Sequence, residues 1–297
     1  MKETYEFRIL EDNARDLLPS DVGEILGGFV RKITTARDDP IFNLLGDLER
    51  ERIASHQPSL FSYWSVIRLY TPEEMAAASL LEVWANRPFE PAGEECGTVY
   101  DESAMCGYVF WQSSENVRPE FAMTDRCGHG ARQINPLYLK RGTIPKYDFA
   151  RTIASEIVVS QRVVDVFERH RLTGVRFDPV IYTKSRSKAP AEPRFQLVVT
   201  ERVAEFAPNV CGGDNPFDER GQGRCTRGHS IGYNLLTPVT VLGSSVPNTD
   251  VCATRQLKGV HRGLLRPSPV MLMKPRSWQA IRAAGLTGID AEVAYIE

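Results

Sequence analysis

A chain of 297 residues with 42 % hydrophobic and 25 % charged residues has the make-up of a soluble globular protein, long enough for one large domain or two to three modest ones. Its formal net charge of −2 gives no basic excess for nucleic acid, and no apolar run reaches the roughly 18 residues of a membrane span. Six cysteines in a chain of this kind suit metal ligation or inert burial better than a disulfide framework.

The opening stretch MKETYEFRILEDNARDLL places acids where a signal peptide carries its apolar core, so export by that route is not expected and the cytoplasm is the expected compartment. Asp38-Asp39-Pro40 precedes a helical pattern that sets Phe42, Leu45 and Leu48 on one face. Phe61 to Tyr70 is rich in aromatic and β-branched residues and predicts a strand. Thr71-Pro72-Glu73-Glu74 then predicts a helix start, with Thr71 as N-cap, Pro72 in the first helical position and Glu74 closing a capping box. That helix is expected to run through MAAASLLEVWAN and to stop before Pro88, so residues 1–95 read as an N-terminal α/β cap.

Residues 96–182 read as a first unit. It crosses the Cys106 and Cys127 turns and reaches an expected strand near Ile134 to Leu139. Next comes a short buried strand, Ile157-Val158-Val159. Ser160 then caps a helix from Gln161 to Arg171 with Val163, Val166 and Phe167 inward. Gly174 falls just past the helix end, where a left-handed residue is needed, and Val175 to Tyr182 returns as a strand. Residues 183–194 are polar, basic and proline-bearing, a linker to a second unit, 195–297, that opens on the alternating strand Phe195 to Thr200.

The two units echo each other. Residues 157–182 align without a gap on 271–296, an offset of 114 that puts Leu172-Thr173-Gly174 on Leu286-Thr287-Gly288, Arg162 on Arg276 and Val164 on Trp278. Upstream, Ile144-Pro145, Asp148 and Thr152 match Val246-Pro247, Asp250 and Thr254 at an offset of 102, which implies an insertion of 12 residues in the second copy near Arg262 to Pro267. The expected architecture is therefore α+β: an N-terminal cap followed by two strand-helix-strand units with cysteine-containing knuckles, related by internal duplication.

Glycine follows the cysteine directly at Cys96, Cys106, Cys127 and Cys211, as it does where a tight turn aims backbone amides at a thiolate. Cys225-Thr226-Arg227-Gly228-His229 spaces a thiolate and an imidazole four residues apart, and Cys127 and His229 occupy equivalent positions at the offset of 102. Cys106, Cys127, Cys225 and His229 are the expected ligands of a closed, structural zinc site, with Cys211 and His129 as alternates. Two other readings use the same residues: a metal-free fold with scattered buried cysteines, and a cysteine nucleophile paired with a histidine in space. No catalytic residue is assigned. The chain has no Gly-x-Ser-x-Gly elbow and no His-Glu-x-x-His helix, and neither the Gly212 to Glu219 stretch nor Gly221-Gln222-Gly223 has the spacing of a calcium or phosphate loop.

The glycine-flanked cysteines, followed by Glu-Ile-Val-Val-Ser at 156–160 and Leu-Thr-Gly-Val at 172–175, resemble bacterial immunity proteins of polymorphic toxin systems, in particular the family named for paired Cys-x-x-Cys-Gly motifs. The resemblance covers Glu156 to Val180 and, more loosely, Cys106-Gly107 and Cys127-Gly128; lone Cys-Gly steps stand in place of the paired motif. It implies a cytoplasmic, non-catalytic protein whose partner is a cognate protein toxin neutralised by binding, with no nucleic acid and no membrane span. A zinc-dependent hydrolase or cysteine-based enzyme built on Cys127, His129, Cys225 and His229, and a structural or assembly protein, are the alternative expectations. A binding module is expected to show an aromatic or acidic patch for a basic partner.

Overall fold

The computed structural model describes residues 1–89, 92–113, 118, 122–141, 143–144, 146–183, 192–217 and 223–297. The N-terminal part is a split βαβ unit: β1 (Lys2–Leu10), α1 (Glu11–Leu17), β2 (Glu24–Leu26), β3 (Val30–Thr35), α2 (Pro40–Ala54) and β4 (Phe61–Leu69). Its strands run antiparallel in the order β2-β3-β1-β4. Period-two alternation on β1 sends Tyr5, Phe7 and Ile9 into a core with Phe42 and Leu45 of α2, while Leu48 packs at its margin. Asp39 caps α2 by accepting from the Ile41 amide at 2.8 Å.

Next come α3 (Pro72–Ala77), β5 (Leu80–Ala85), β6 (Pro88–Phe89), β7 (Tyr100–Asp101), β8 (Val109–Gln112), β9 (Thr124–Arg126), β10 (Arg132–Gln133), β11 (Tyr138–Lys140), β12 (Phe149–Thr152), β13 (Ile157–Ser160), α4 (Gln161–Arg169), β14 (Val175–Pro179) and β15 (Ile181–Thr183). The remainder is β16 (Arg194–Val199), β17 (Arg202–Ala204), β18 (Gly212–Gly213), β19 (Ser230–Gly232), β20 (Asn234–Leu235), β21 (Thr240–Val241), β22 (Val251–Lys258), β23 (Ser268–Met273), α5 (Pro275–Ala283) and β24 (Ile289–Ile296). The protein is mixed α+β with strands dominating, and no described helix is long and apolar enough to cross a membrane.

Two body sheets share one plan. The first has the order β14-β16-β13-β12-β6; the second contains β24-β5-β23-β22-β17 and continues from β24 to β21. Each helix leads from the same strand to the same strand. The parallel pairs β11–β15 and β21–β24 also correspond, since Tyr138 faces Ile181 and Thr240 faces Tyr295. A bridge between Phe206 and Val241 nearly closes the second sheet on itself, around Val239, Val241, Cys252, Leu272 and Ala294. Leu137, Leu139, Ala150, Val158 and Val180 fill the matching places in the first. Outer faces of both sheets and the two helices meet in one shared core that contains Val163, Val166, Phe167, Met271, Ile281 and Leu286.

Two reciprocal clamps join the halves. Asp148 accepts from the amide of Thr287 at 3.0 Å and from its hydroxyl at 3.1 Å, and pairs with Arg162 at 3.0 Å. Asp250 accepts from the amide and hydroxyl of Thr173, both at 2.9 Å, and pairs with Arg276. Gly174 and Gly288 follow these threonines with φ of +95° and +87°. The Arg276 guanidinium, working against burial and aided by Thr173, lowers the Asp250 carboxyl to about 2. A folded-state value below the unfolded one stabilises above about pH 4, and that contribution is lost as pH falls toward 2. Asp250→Asn should therefore lower stability by about 1–3 kcal/mol at neutral pH. In urea titrations the gap to the wild type should narrow between about pH 4 and pH 2; a gap independent of pH would refute the assignment.

Several expectations need correction. The helix after Thr71 ends at Ala77, and Leu80–Ala85 is a strand between β23 and β24. Helix propensity differs by under about 0.7 kcal/mol per residue. Burying Leu80, Leu81 and Val83, which lie on the two faces of β5, contributes roughly 1.5–3 kcal/mol each, so packing decides. Residues 1–95 are consequently not a separate cap: the N-terminal sheet ends with β4, and β5 belongs to the second body sheet. Likewise β16, expected to open the second unit, pairs with β13 and β14 of the first. The strand expected near 134–139 is broken by Pro136 into β10 and β11, and the one expected over 175–182 changes sheet after Pro179. Ser160 precedes α4 as expected, but its hydroxyl donates to Asp148 at 2.7 Å and caps nothing. Most of the expected linker, residues 184–191, and Pro145 of the upstream echo lie outside the described residues, as do 218–222.

Candidate metal centre

Three loops converge beside the long β22–β23 hairpin. The first carries Cys106, whose amide donates to the His129 carbonyl at 2.7 Å. The second carries Cys127, whose amide donates to the Tyr108 carbonyl at 2.9 Å, so the two knuckles are tied to each other. The third is a turn closed by Gly228 N to Cys225 O at 2.8 Å and Cys225 N to Ser230 O at 2.9 Å, which returns His229 toward its own cysteine. Gly128 and Gly228 take φ of +69° and +72°, a conformation that costs a side-chain-bearing residue energy. Gly97 shares it, whereas Gly107 and Gly212 do not, so the expected role for a glycine after cysteine holds at only part of these positions.

Cys106, Cys127, Cys225 and His229 place one ligand atom each within 4.8 Å of one another, and the three cysteines are buried. The Cys106 and Cys225 sulfurs are 3.8 Å apart, far beyond the ~2.05 Å of a disulfide. Two thiolates bound at about 2.3 Å in a tetrahedral site have the same separation, about 3.8 Å. The widest spacing in the group exceeds that edge by about 1 Å. His229 Nδ1 is buried and makes no hydrogen bond, the condition of a nitrogen reserved for another ligand. This cluster could hold a metal ion.

Backbone amides face the three sulfurs. The amides of Tyr108 and His129 donate to the sulfurs of Cys106 and Cys127, and that of Arg227 to Cys225 at 3.4 Å. Burial pushes the Cys127 thiol up to about 12 against the pull of the His129 amide. At Cys106 burial acts the same way, but the Tyr108 amide and the neighbouring sulfurs outweigh it and leave that thiol below its usual range. Binding a soft cation would therefore displace at least the Cys127 proton. Tyr108 and Phe110 pack against the cysteines, and the His129 ring stacks on His229 with centroids 4.1 Å apart, while burial and His229 hold its imidazole below the usual range.

The stretch Arg262 to Pro267 lies at the tip of the β22–β23 hairpin, which buttresses the cluster. His261 and Arg126 exchange backbone hydrogen bonds at 2.9 and 3.1 Å, and Arg262 forms a two-point pair with the fully buried Asp125, which also accepts from the Tyr233 hydroxyl at 3.0 Å. Of the alternates, Cys211 lies outside the four-ligand group, with its amide bonded to Thr237 at 3.2 Å, and His129 forms the outer wall. Cys96 and Cys252 stand elsewhere, the latter buried in β22.

Sequence reasoning missed a second arrangement of charged groups, in the cleft between the two body sheets. Glu156 is buried there, accepts from the Tyr100 hydroxyl at 2.7 Å and from Thr152, and burial raises its carboxyl above the usual range. Arg266 lies over the Tyr100 ring at 3.9 Å and pairs with Glu94 at 2.8 Å and Glu102 at 2.6 Å. A lone acid after an alanine-serine step gives no periodic signal, so the sequence marked Glu156 only as the start of a strand segment and not as a buried acid. No family model matches this chain, and no curated protein matches it.

Proposed function

We propose that this chain is a non-catalytic binding protein of the immunity type, neutralising a cognate bacterial toxin by direct contact, with a fold stapled by one structural zinc ion. The observation that carries the reading is the closed Cys106, Cys127, Cys225 and His229 set. Three thiolates and one imidazole favour zinc over harder divalent ions, and four such ligands around a tetrahedral ion would leave no position for a reacting water. The metal's contribution is then cohesion between two loops of the first unit and one of the second.

We also infer that the two units are copies of one ancestral strand-helix-strand unit. Shared strand order, the reciprocal Asp148 and Asp250 clamps, and the left-handed Gly174 and Gly288 all support this. On this reading each copy has lent its first strand, β5 or β16, to the other's sheet.

Co-expression with each protein encoded beside its gene tests the function. One neighbour should arrest growth alone, be rendered harmless by this chain, and co-purify with it in equimolar amounts. If no neighbour is neutralised or bound, the immunity reading fails. A turnover abolished in a folded His129→Ala variant would instead install the zinc-hydrolase or cysteine-enzyme reading.

A further inference from the structure

An outer chamber of about 720 Å³ opens between the two body sheets, and an inner cavity of about 240 Å³ adjoins it, with Ser155, Val199, Arg202, Ser268 and Pro269 lining both. The inner walls come in matched pairs from the two halves: Val83 with Leu197, Ala85 with Val199, and Met271 with Ile157. Elsewhere the match breaks. Arg151 of β12 lines the cavity where β22 presents Ala253.

Three of the six cations that line the cleft are already neutralised. Arg176 pairs with Asp178 at 3.0 Å, Arg266 with Glu94 and Glu102, and Lys258 with Glu82 at 3.3 Å. Among the described residues, the side chains of Arg132, Arg151 and Arg202 have no hydrogen bond or ion pair, and of these three Arg151 and Arg202 line the inner cavity while remaining open to the solvent of the cleft. The cleft walls around each of these two guanidinium groups lower its proton affinity, and Arg176 adds repulsion at Arg202. Glu156, whose carboxyl burial raises, is engaged by the Tyr100 hydroxyl at 2.7 Å and by Thr152. Two arginines that share a cavity wall without a counter-charge form a donor pair that an oxyanion would complete.

We propose that this cleft is a binding site for a small oxyanion-bearing molecule, whose phosphate or carboxylate group is held by Arg151 and Arg202 while its polar body fills the outer chamber. The combined space suits such a ligand. The Cys127 loop contributes Gly128 and Ala131 to the outer wall, so the metal staple shapes the site without belonging to it. A cationic cleft also departs from the aromatic or acidic patch expected for a basic partner. This inference is independent of the toxin reading.

Melting of the zinc-loaded full chain in millimolar inorganic phosphate, in succinate, and in sodium chloride of equal ionic strength tests it. One oxyanion should raise the melting temperature saturably above the chloride control, and whichever acts at lower concentration names the ligand's acidic group. Arg202→Gln and Arg151→Gln should each weaken that effect at least about tenfold, and the double variant should abolish it. Arg202→Lys, which keeps the charge, guards against misfolding and should weaken binding less. Exposed Arg169→Gln should change nothing. Stabilisation no greater than that by chloride, or undiminished in the double variant, would overturn the proposal.

Discussion

Cys225→Ala should lower the stability of the zinc-loaded protein by several kcal/mol, the largest loss expected from any single surface-distant substitution outside the apolar core. The bond energy of a structural zinc is part of the folding energy, with apparent values of about 10–16 kcal/mol in small zinc-finger peptides. The loss here should be a fraction of that, because two body sheets with their own apolar cores hold the rest of the chain. Removing one thiolate also leaves Cys106 and Cys127 buried around a ligand-poor site, with burial opposing ionisation at Cys127. Cys127→Ser should behave alike, whereas Cys96→Ser should have little effect, since Cys96 lies apart from the group. Urea melts with and without a chelator measure this. Chelation should destabilise the wild type by nearly as much as Cys225→Ala does, and should not further destabilise the variant. A chelator effect that survives in the variant would place the metal elsewhere.

Gly174→Ala and Gly288→Ala should each cost at least about 3 kcal/mol, and by similar amounts. Both glycines have left-handed backbones, where a Cβ is disfavoured by about 1–2 kcal/mol before any contact is counted. A Cβ at Gly174 would stand 1.8 Å from the Val251 carbonyl oxygen, and one at Gly288 2.1 Å from that of Phe149. These are backbone atoms of the strands that follow Asp250 and Asp148, so relief requires moving the threonine clamp beside each glycine. Equilibrium unfolding of the two variants gives the costs. Near-equal values are expected from equivalent sites; a mild Gly174→Ala beside a severe Gly288→Ala would mean that the two clamps do different work.

These two sites also mark what the sequence could reveal. Gly174 was visible as a glycine beyond an apolar helix, and Gly288, Asp148 and Asp250 because they recur at fixed offsets, although the left-handed residues that close α4 and α5 are Arg171 and Gly285. Local signals of this sort are written in neighbouring residues, as with the Thr71 capping box, which forms as read. The strand Leu80–Ala85 was hidden because its apolar run suits a buried helix equally well, and only the packing of β23 and β24 on either side decides. The place of β5 is set by pairing across more than 180 residues, and that of β16 by pairing with β13 and β14, and neither leaves a local trace. The four metal-ligand candidates were legible as residue types with suggestive spacing, and the fold brings their ligand atoms together. Arg151 and Arg202 carry no such mark, for an arginine in a strand reads as a solvent-facing residue until its cleft is seen.

X-ray absorption at the zinc edge, on protein reconstituted with one equivalent of zinc, tests the central claim most directly. One tightly held ion is expected, with about three sulfur scatterers near 2.3 Å and one nitrogen near 2.0 Å. His229→Ala should replace the nitrogen shell by a water oxygen or release the ion. A spectrum with oxygen-dominated ligation, or an ion that the wild type does not retain through buffer exchange, would contradict the account of a fold stapled by Cys106, Cys127, Cys225 and His229.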